Sequence, residues 1–244
     1  MQVRKDTMRL TFLSLSCALA MASAPAAAQG AFDMGMLTNT LAQGSLVETE
    51  SARAAGASAF RSITRTPRNA AVDITAVRYR PSMAVRKRNM AQIVKQLGRA
   101  DPANAEDLER TLARRDLVAE IGSVMRPVGL DPNNVADAVA VYLVTAYYGV
   151  RGSTDSQPAE YKAVSAQVAR ALGADPGFTG ASDGVKQEIA EAMLVHAVLA
   201  DQAVEAARKQ PSAMPAVKAA IAKGARHAFG LDLARMQLGP AGLN

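Results

Sequence analysis

The sequence predicts an all-α protein, a bundle of six to seven helices around one buried central helix at residues 135–150. A signal peptide and a flexible arm precede the bundle. Three observations carry this. Apolar residues make up 49% of the 244 and charged residues 20%, so most of the chain can bury a core. There are 51 alanines against five Tyr, five Phe and no Trp. That supply suits close helix packing and starves a β-sandwich of branched and aromatic side chains. After Pro81 the apolar residues recur at helical spacing, and each run is bounded by residues that cap or break helices.

The chain opens with Arg4, Lys5 and Arg9, then the apolar run Leu10–Ala22, then "SAPAAAQG". This is the pattern of a secretory signal peptide over residues 1–28, with cleavage expected after Ala28. Met8 begins an equally good, shorter signal. An uncleaved anchor and a lipoprotein modified at Cys17 are the alternatives; the apolar run is short for either. Cleavage would leave a chain with no Cys and no transmembrane span, exported to the periplasm or secreted.

Charge is unevenly spread along the remaining chain. Residues 29–52 carry Asp33, Glu48 and Glu50 and no base; residues 53–99 carry eleven Lys and Arg against Asp73 alone. Residues 29–80 read as a disordered or extended arm, rich in Ala, Gly, Ser and Thr without sustained period. Within it "VDITAVRY" (Val72–Tyr79) has strand-like residues, but one strand makes no sheet.

The helical bundle is expected over 81–244. Ser82 caps a first helix to about Leu97, with Met83, Met90, Ile93, Val94 and Leu97 on one face. A second covers about 105–114. A third restarts at Asp116 and stops at Arg126-Pro127 and Gly129. The fourth, "VADAVAVYLVTAYYGV", is apolar nearly all round and so belongs at the centre. The fifth runs from Pro158 to Gly173, and a long sixth covers about 184–209 with Asp183 as cap. The seventh covers about 213–229, with Ser212 as cap, Pro215 in its first turn and Gly230 closing it. The tail reads as a turn or short 3₁₀ piece whose leucines cover an end of the bundle.

Few residues suggest chemistry. Asp137 is an acid in an apolar helix, yet with Asn134 as N-cap it stands at the third helical position, where a carboxylate meets free backbone N–H groups. His196 falls mid-way across the apolar face of the sixth helix, where a lone His is usually structural. The sharper alternative pairs Asp137 with His196 in the core. His227 sits where its cation suits a helix C-terminus, and Glu188 and Glu191 read as a solvated first turn. Motifs for zinc, calcium, di-iron, nucleotide phosphates and nucleophile elbows are absent, so no cofactor and no metal site is expected. The strongest interaction signal is basic: Arg86, Lys87, Arg88, Lys95 and Arg99, with Arg78 and Arg80 just before. Such a stripe suits an envelope protein or an anionic envelope surface. Export and the lack of interleaved aromatics argue against nucleic acid. The bland alternative pairs these bases with Glu106, Glu109 and Glu120.

Four stretches, Tyr79–Leu97, Gly129–Tyr142, Lys186–Ala197 and Gly230–Leu243, resemble a family of secreted bacterial proteins that share a helical domain of unknown function. Val135-Ala136-Asp137-Ala138 after the Asn-rich turn is the most specific piece. The family's central helix often carries Trp where this chain has Tyr142 and Tyr147, and its members tend to end in Gly-Phe where this chain has Gly242-Leu243. The resemblance implies secretion and a helical fold, and no established activity. The expectation is a non-catalytic binding module of the cell envelope. The alternative is an enzyme, hydrolase-like, with a site around Asp137, Tyr142, Glu188 and His196.

Overall fold

The computed structural model describes residues 49–100, 106, 109–110 and 114–244. The signal peptide, its cleavage point, the arm up to residue 48 and most of the expected 105–114 helix lie outside them. Among the described residues run eight α-helices: α1 (Glu50–Ser62), α2 (Met83–Ala100), α3 (Leu117–Met125), α4 (Val135–Gly149), α5 (Pro158–Gly173), α6 (Pro176–Thr179), α7 (Asp183–Lys209) and α8 (Met214–Phe229). A two-residue hairpin, β1 (Leu238–Gly239) with β2 (Gly242–Leu243), ends the chain.

The fold is all-α, as composition and period require. Every residue of α4 from Val135 to Ala146 is buried, and α4 packs chiefly against α7 and α5. Its start is fixed by local chemistry. The Asn134 Oδ1 accepts the N–H groups of Ala136 at 2.9 Å and Asp137 at 3.4 Å. Val135 N–H donates to the Val77 carbonyl at 2.8 Å, and Tyr79 N–H to the Asn133 carbonyl at 3.2 Å. The strand-like stretch Val72–Tyr79 is not extended throughout: Ile74–Val77 form turns, with Ala76 N–H donating to the Asp73 carbonyl at 3.1 Å and Arg78 N–H to the Thr75 carbonyl at 3.2 Å, and one isolated bridge, Arg78 to Asn134, joins the segment to the helix start.

The arm expected over 29–80 is corrected where it is described. Glu50–Ser62 is a helix, capped by Thr49, whose side chain accepts from Ala52 N–H at 3.1 Å. Ala52, Ala55, Ala59 and Phe60 are buried, and the Phe60 ring lies 4.7 Å from that of Phe229 in α8. Other boundaries shift by small amounts with clear reasons. Ser182, not Asp183, caps α7, accepting from Val185 N–H at 3.4 Å. A 3₁₀ turn, Pro211–Ala213, precedes α8, so Ser212 caps nothing. Asp175 caps the unexpected short α6, which seats the fully buried Phe178. Met83, placed on an apolar face by period, is 67% exposed because it begins α2 at the rim.

The tail does cover an end of the bundle: Leu231, Leu233 and Leu243 are buried. Side chains clasp it. The Gln167 amide donates to the Leu243 carbonyl at 2.8 Å and accepts its N–H at 2.9 Å. Arg151 donates to the carbonyls of Tyr147, Leu233 and Met236 at 2.7, 3.1 and 2.9 Å, with its guanidinium 3.6 Å above the Tyr147 ring. Gly242 sits at φ +98°, and a Cβ there would collide with the Gln167 Oε1. Gly242→Ala is therefore expected to cost about 1–3 kcal/mol, from backbone strain plus a broken clasp. Thermal melts of the two proteins check this; equal midpoints would mean that the clasp contributes nothing.

Candidate functional site

The face shared by α2 and the first turns of α7 concentrates the polar chemistry. Ser82, just before α2, has its N–H and its carbonyl both held by the Gln187 amide, at 2.8 and 2.9 Å. One turn further along α7, Glu191 is wholly buried. Its Oε1 accepts from Arg86 Nε at 2.9 Å and Gln187 Nε2 at 2.8 Å, and its Oε2 from Asn89 Nδ2 at 2.7 Å. Arg86 also reaches Asp116, the N-cap of α3, with Nη1 2.6 Å from Oδ2. Burial opposes the charge on Arg86. Its bonds to Glu191 and then Asp116 outweigh that and hold the guanidinium above its ordinary pKa. Two expectations are corrected here. Arg86 belongs to a partly buried ion-pair network around Glu191 rather than to a binding stripe, and Glu191 is not solvated.

The rest of the stripe stays outside. Lys87, Arg88 and Lys95 are exposed, and no hydrogen bond or ion pair holds them among the described residues. The side chain of Arg99 lies outside the described residues. Of the acids set against the stripe, Glu106 pairs with Arg110 at 3.0 Å and Glu120 accepts from Arg115 Nε at 2.7 Å. Beside Arg88 a shallow groove of about 380 Å³ opens between α2 and the starts of α1 and α7. Arg88, Gln92, Ser51, Ser182, Gly184 and Glu188 are on its walls. Glu188 is already engaged: its two oxygens accept the N–H of Thr49 at 2.7 Å and the Thr49 hydroxyl at 2.8 Å.

The four residues of the catalytic alternative do not converge. Asp137 Oδ2 accepts from Asp131 N–H at 2.9 Å, and Oδ1 accepts the Ser165 hydroxyl. Burial raises its carboxyl pKa, and these bonds pull it part of the way back. So Asp137 ties the turn before α4 to α5, a wider version of the capping role read from sequence. The His196 Nδ1 lies 2.8 Å from the Ala192 carbonyl of its own helix, and burial lowers its pKa. No Asp137–His196 couple forms. The Tyr142 ring stacks on Phe229 at 5.6 Å, and burial raises its phenol. Of the four, Glu188 alone lines the groove. His227 is exposed in the last turn of α8, as expected.

No group of three or more His, Cys, Asp or Glu is placed to hold a metal among the described residues, and none of their helices is long and apolar enough to cross a membrane. One polar group was missed in sequence. Asp201 of α7 is buried, at 6% exposure, with its carboxyl pushed up to about 7 by burial and by Glu205. Its place on the apolar wheel, between Ala200 and Val204, was the available signal.

Residues 5–244 match the family described as "Family of unknown function (DUF6683)". The chain belongs to that family. The four stretches singled out by resemblance fall inside the matched range. No curated protein and no solved structure matches the chain. Membership in DUF6683 therefore adds no activity, and function rests on the geometry of the α2–α7 face.

Proposed function

We propose that this protein is a non-catalytic binding module of the bacterial cell envelope, periplasmic or secreted, that docks onto an anionic envelope surface through the outer face of α2. One observation carries the reading. α2 contains no acid, and once Arg86 is taken by Glu191 and Asp116, Lys87, Arg88 and Lys95 remain exposed and without a partner among the described residues. Arg80, just ahead of the helix, is exposed as well. A row of unpaired cations on a rigid helix attracts a polyanionic surface, each contributing about 1 kcal/mol near a charged membrane. The signal-peptide pattern supports the location. Separation of Asp137, Tyr142, Glu188 and His196 into different contacts weighs against the enzyme reading.

Vesicle sedimentation tests this. The purified protein is expected to bind phosphatidylcholine vesicles that contain phosphatidylglycerol and to ignore pure phosphatidylcholine. Binding should weaken as salt rises, and Lys87→Glu/Lys95→Glu should weaken it at least about tenfold, since two charges are reversed. Binding indifferent to salt or to the double reversal overturns the proposal. So does capture of an envelope protein by this face in place of any surface.

A further inference from the structure

We infer that the groove beside Arg88 is a binding site for a small hydroxylated organic anion of the sugar-acid or sugar-phosphate class. This deepens the envelope-surface reading and rests on it, because it names what one part of that face would hold. Arg88 and Gln92 are four residues apart on α2, so they share a face, and both line the groove. Arg88 is exposed with no acid partner among the described residues, in a protein where the neighbouring Arg86 has two. An uncommitted guanidinium on a concave wall is a receptor for a carboxylate or a phosphate.

Gln92 adds the second requirement. Its Oε1 is shielded from solvent and has no hydrogen-bond partner among the described residues. Turning that amide toward a ligand breaks no bond and relieves an orphaned acceptor, which a hydroxyl donor would satisfy. Glu188 on the same wall gives the third. Its carboxylate is spent on Thr49, but its charge repels a bare inorganic anion packed close by. A ligand that carries its anion at one end of a polyol can set the anion against Arg88 and its neutral hydroxyls toward Gln92 and Glu188, which limits that repulsion. Val85 and Val185 supply an apolar floor for the C–H face of such a ring. The volume, about 380 Å³, lies at the small end of the range of about 300–1,000 Å³ for ligand sites, which fits one sugar unit.

The test uses the purified protein and three probes: glucose 6-phosphate, inorganic phosphate and polygalacturonate. Titration followed by NMR should show saturable binding of glucose 6-phosphate and weaker binding of inorganic phosphate. Arg88→Ala should weaken glucose 6-phosphate binding by about tenfold or more, as loss of a charged hydrogen bond implies. Gln92→Leu should weaken glucose 6-phosphate severalfold and leave inorganic phosphate unchanged. Arg88 is exposed and Gln92 half-buried, and neither makes a hydrogen bond or ion pair among the described residues, so circular dichroism should report an intact fold. Polygalacturonate separates the sources. Binding of the polymer and not of the free sugar assigns the groove to units of an acidic polysaccharide; binding of both assigns it to the sugar anion in either form. Failure of every hydroxylated probe to saturate, or indifference to Arg88→Ala, overturns the inference. Lys87→Glu/Lys95→Glu keeps the two readings apart. Vesicle binding without sugar binding overturns only the groove, and sugar binding without vesicle binding overturns only the surface reading.

Discussion

Arg86→Ala should lower the unfolding free energy by about 3–5 kcal/mol, because it strands a buried carboxylate. Glu191 has no solvent exposure. Without Arg86 it keeps its bonds from Asn89 and Gln187 but loses its cation. A loss of that size is a large share of the total stability of about 5–15 kcal/mol usual for a folded domain. Arg88→Ala, two residues away and exposed, should stay within about 0.5 kcal/mol. Urea unfolding of the two variants makes the comparison, and equal midpoints would show that Arg86 is no more structural than its neighbour. The double change Arg86→Met/Glu191→Leu should recover much of the loss, since a buried pair replaced by apolar groups of similar size is often neutral. Double recovery separates stranded charge from lost packing: if packing is the cause, the second substitution adds damage.

The contrast between Arg86 and Arg88 also shows what the sequence made legible. Five bases on an acid-free stretch were plain to read. Which of them faces α7 was not, because a step of two residues turns a helix by about 200° and puts the side chains on opposite sides. That choice depends on Glu191, which local pattern placed in water. The buried helix α4 was legible because its signal is local: an apolar run between Asn134 and the turn after Gly149. The helix at Glu50–Ser62 was not, because its buried face is mostly alanine. Ala52, Ala55 and Ala59 have helical spacing but little hydrophobic contrast with Arg53, Ala54, Gly56, Ala57 and Ser58 between them. What decides their burial is distant in sequence: Phe229 of α8 against Phe60, and the Glu188 carboxylate under Thr49.

Asp201→Asn should stabilise the protein at neutral pH and leave it nearly unchanged near pH 4. Asp201 forms no hydrogen bond or ion pair among the described residues. Glu205, one turn on, raises its pKa; Arg208 lowers it but pairs with Glu205 at 2.7 Å. Facing it from α5 is Tyr161, its hydroxyl 2.6 Å from that of Ser156. The carboxyl is held near 7 in the fold against an ordinary value of 3.8. Below about pH 4 both folded and unfolded states hold the proton, and the group contributes nothing. Between about 4 and 7 the unfolded state releases it while the fold keeps it, so stability falls as pH rises. Above 7 both are ionised and the penalty is complete, at most about 4 kcal/mol from a shift of this size. Asn has no proton to release, so the difference between the two proteins should grow from about zero at pH 4 to its full value at pH 8. His196 has the opposite sign: its lowered pKa removes stability as pH falls below about 6.5, the ordinary imidazole value. That slope is common to both proteins and cancels in the difference. Urea unfolding across this pH range tests it, and parallel profiles would mean that Asp201 ionises in the fold as readily as in the unfolded chain.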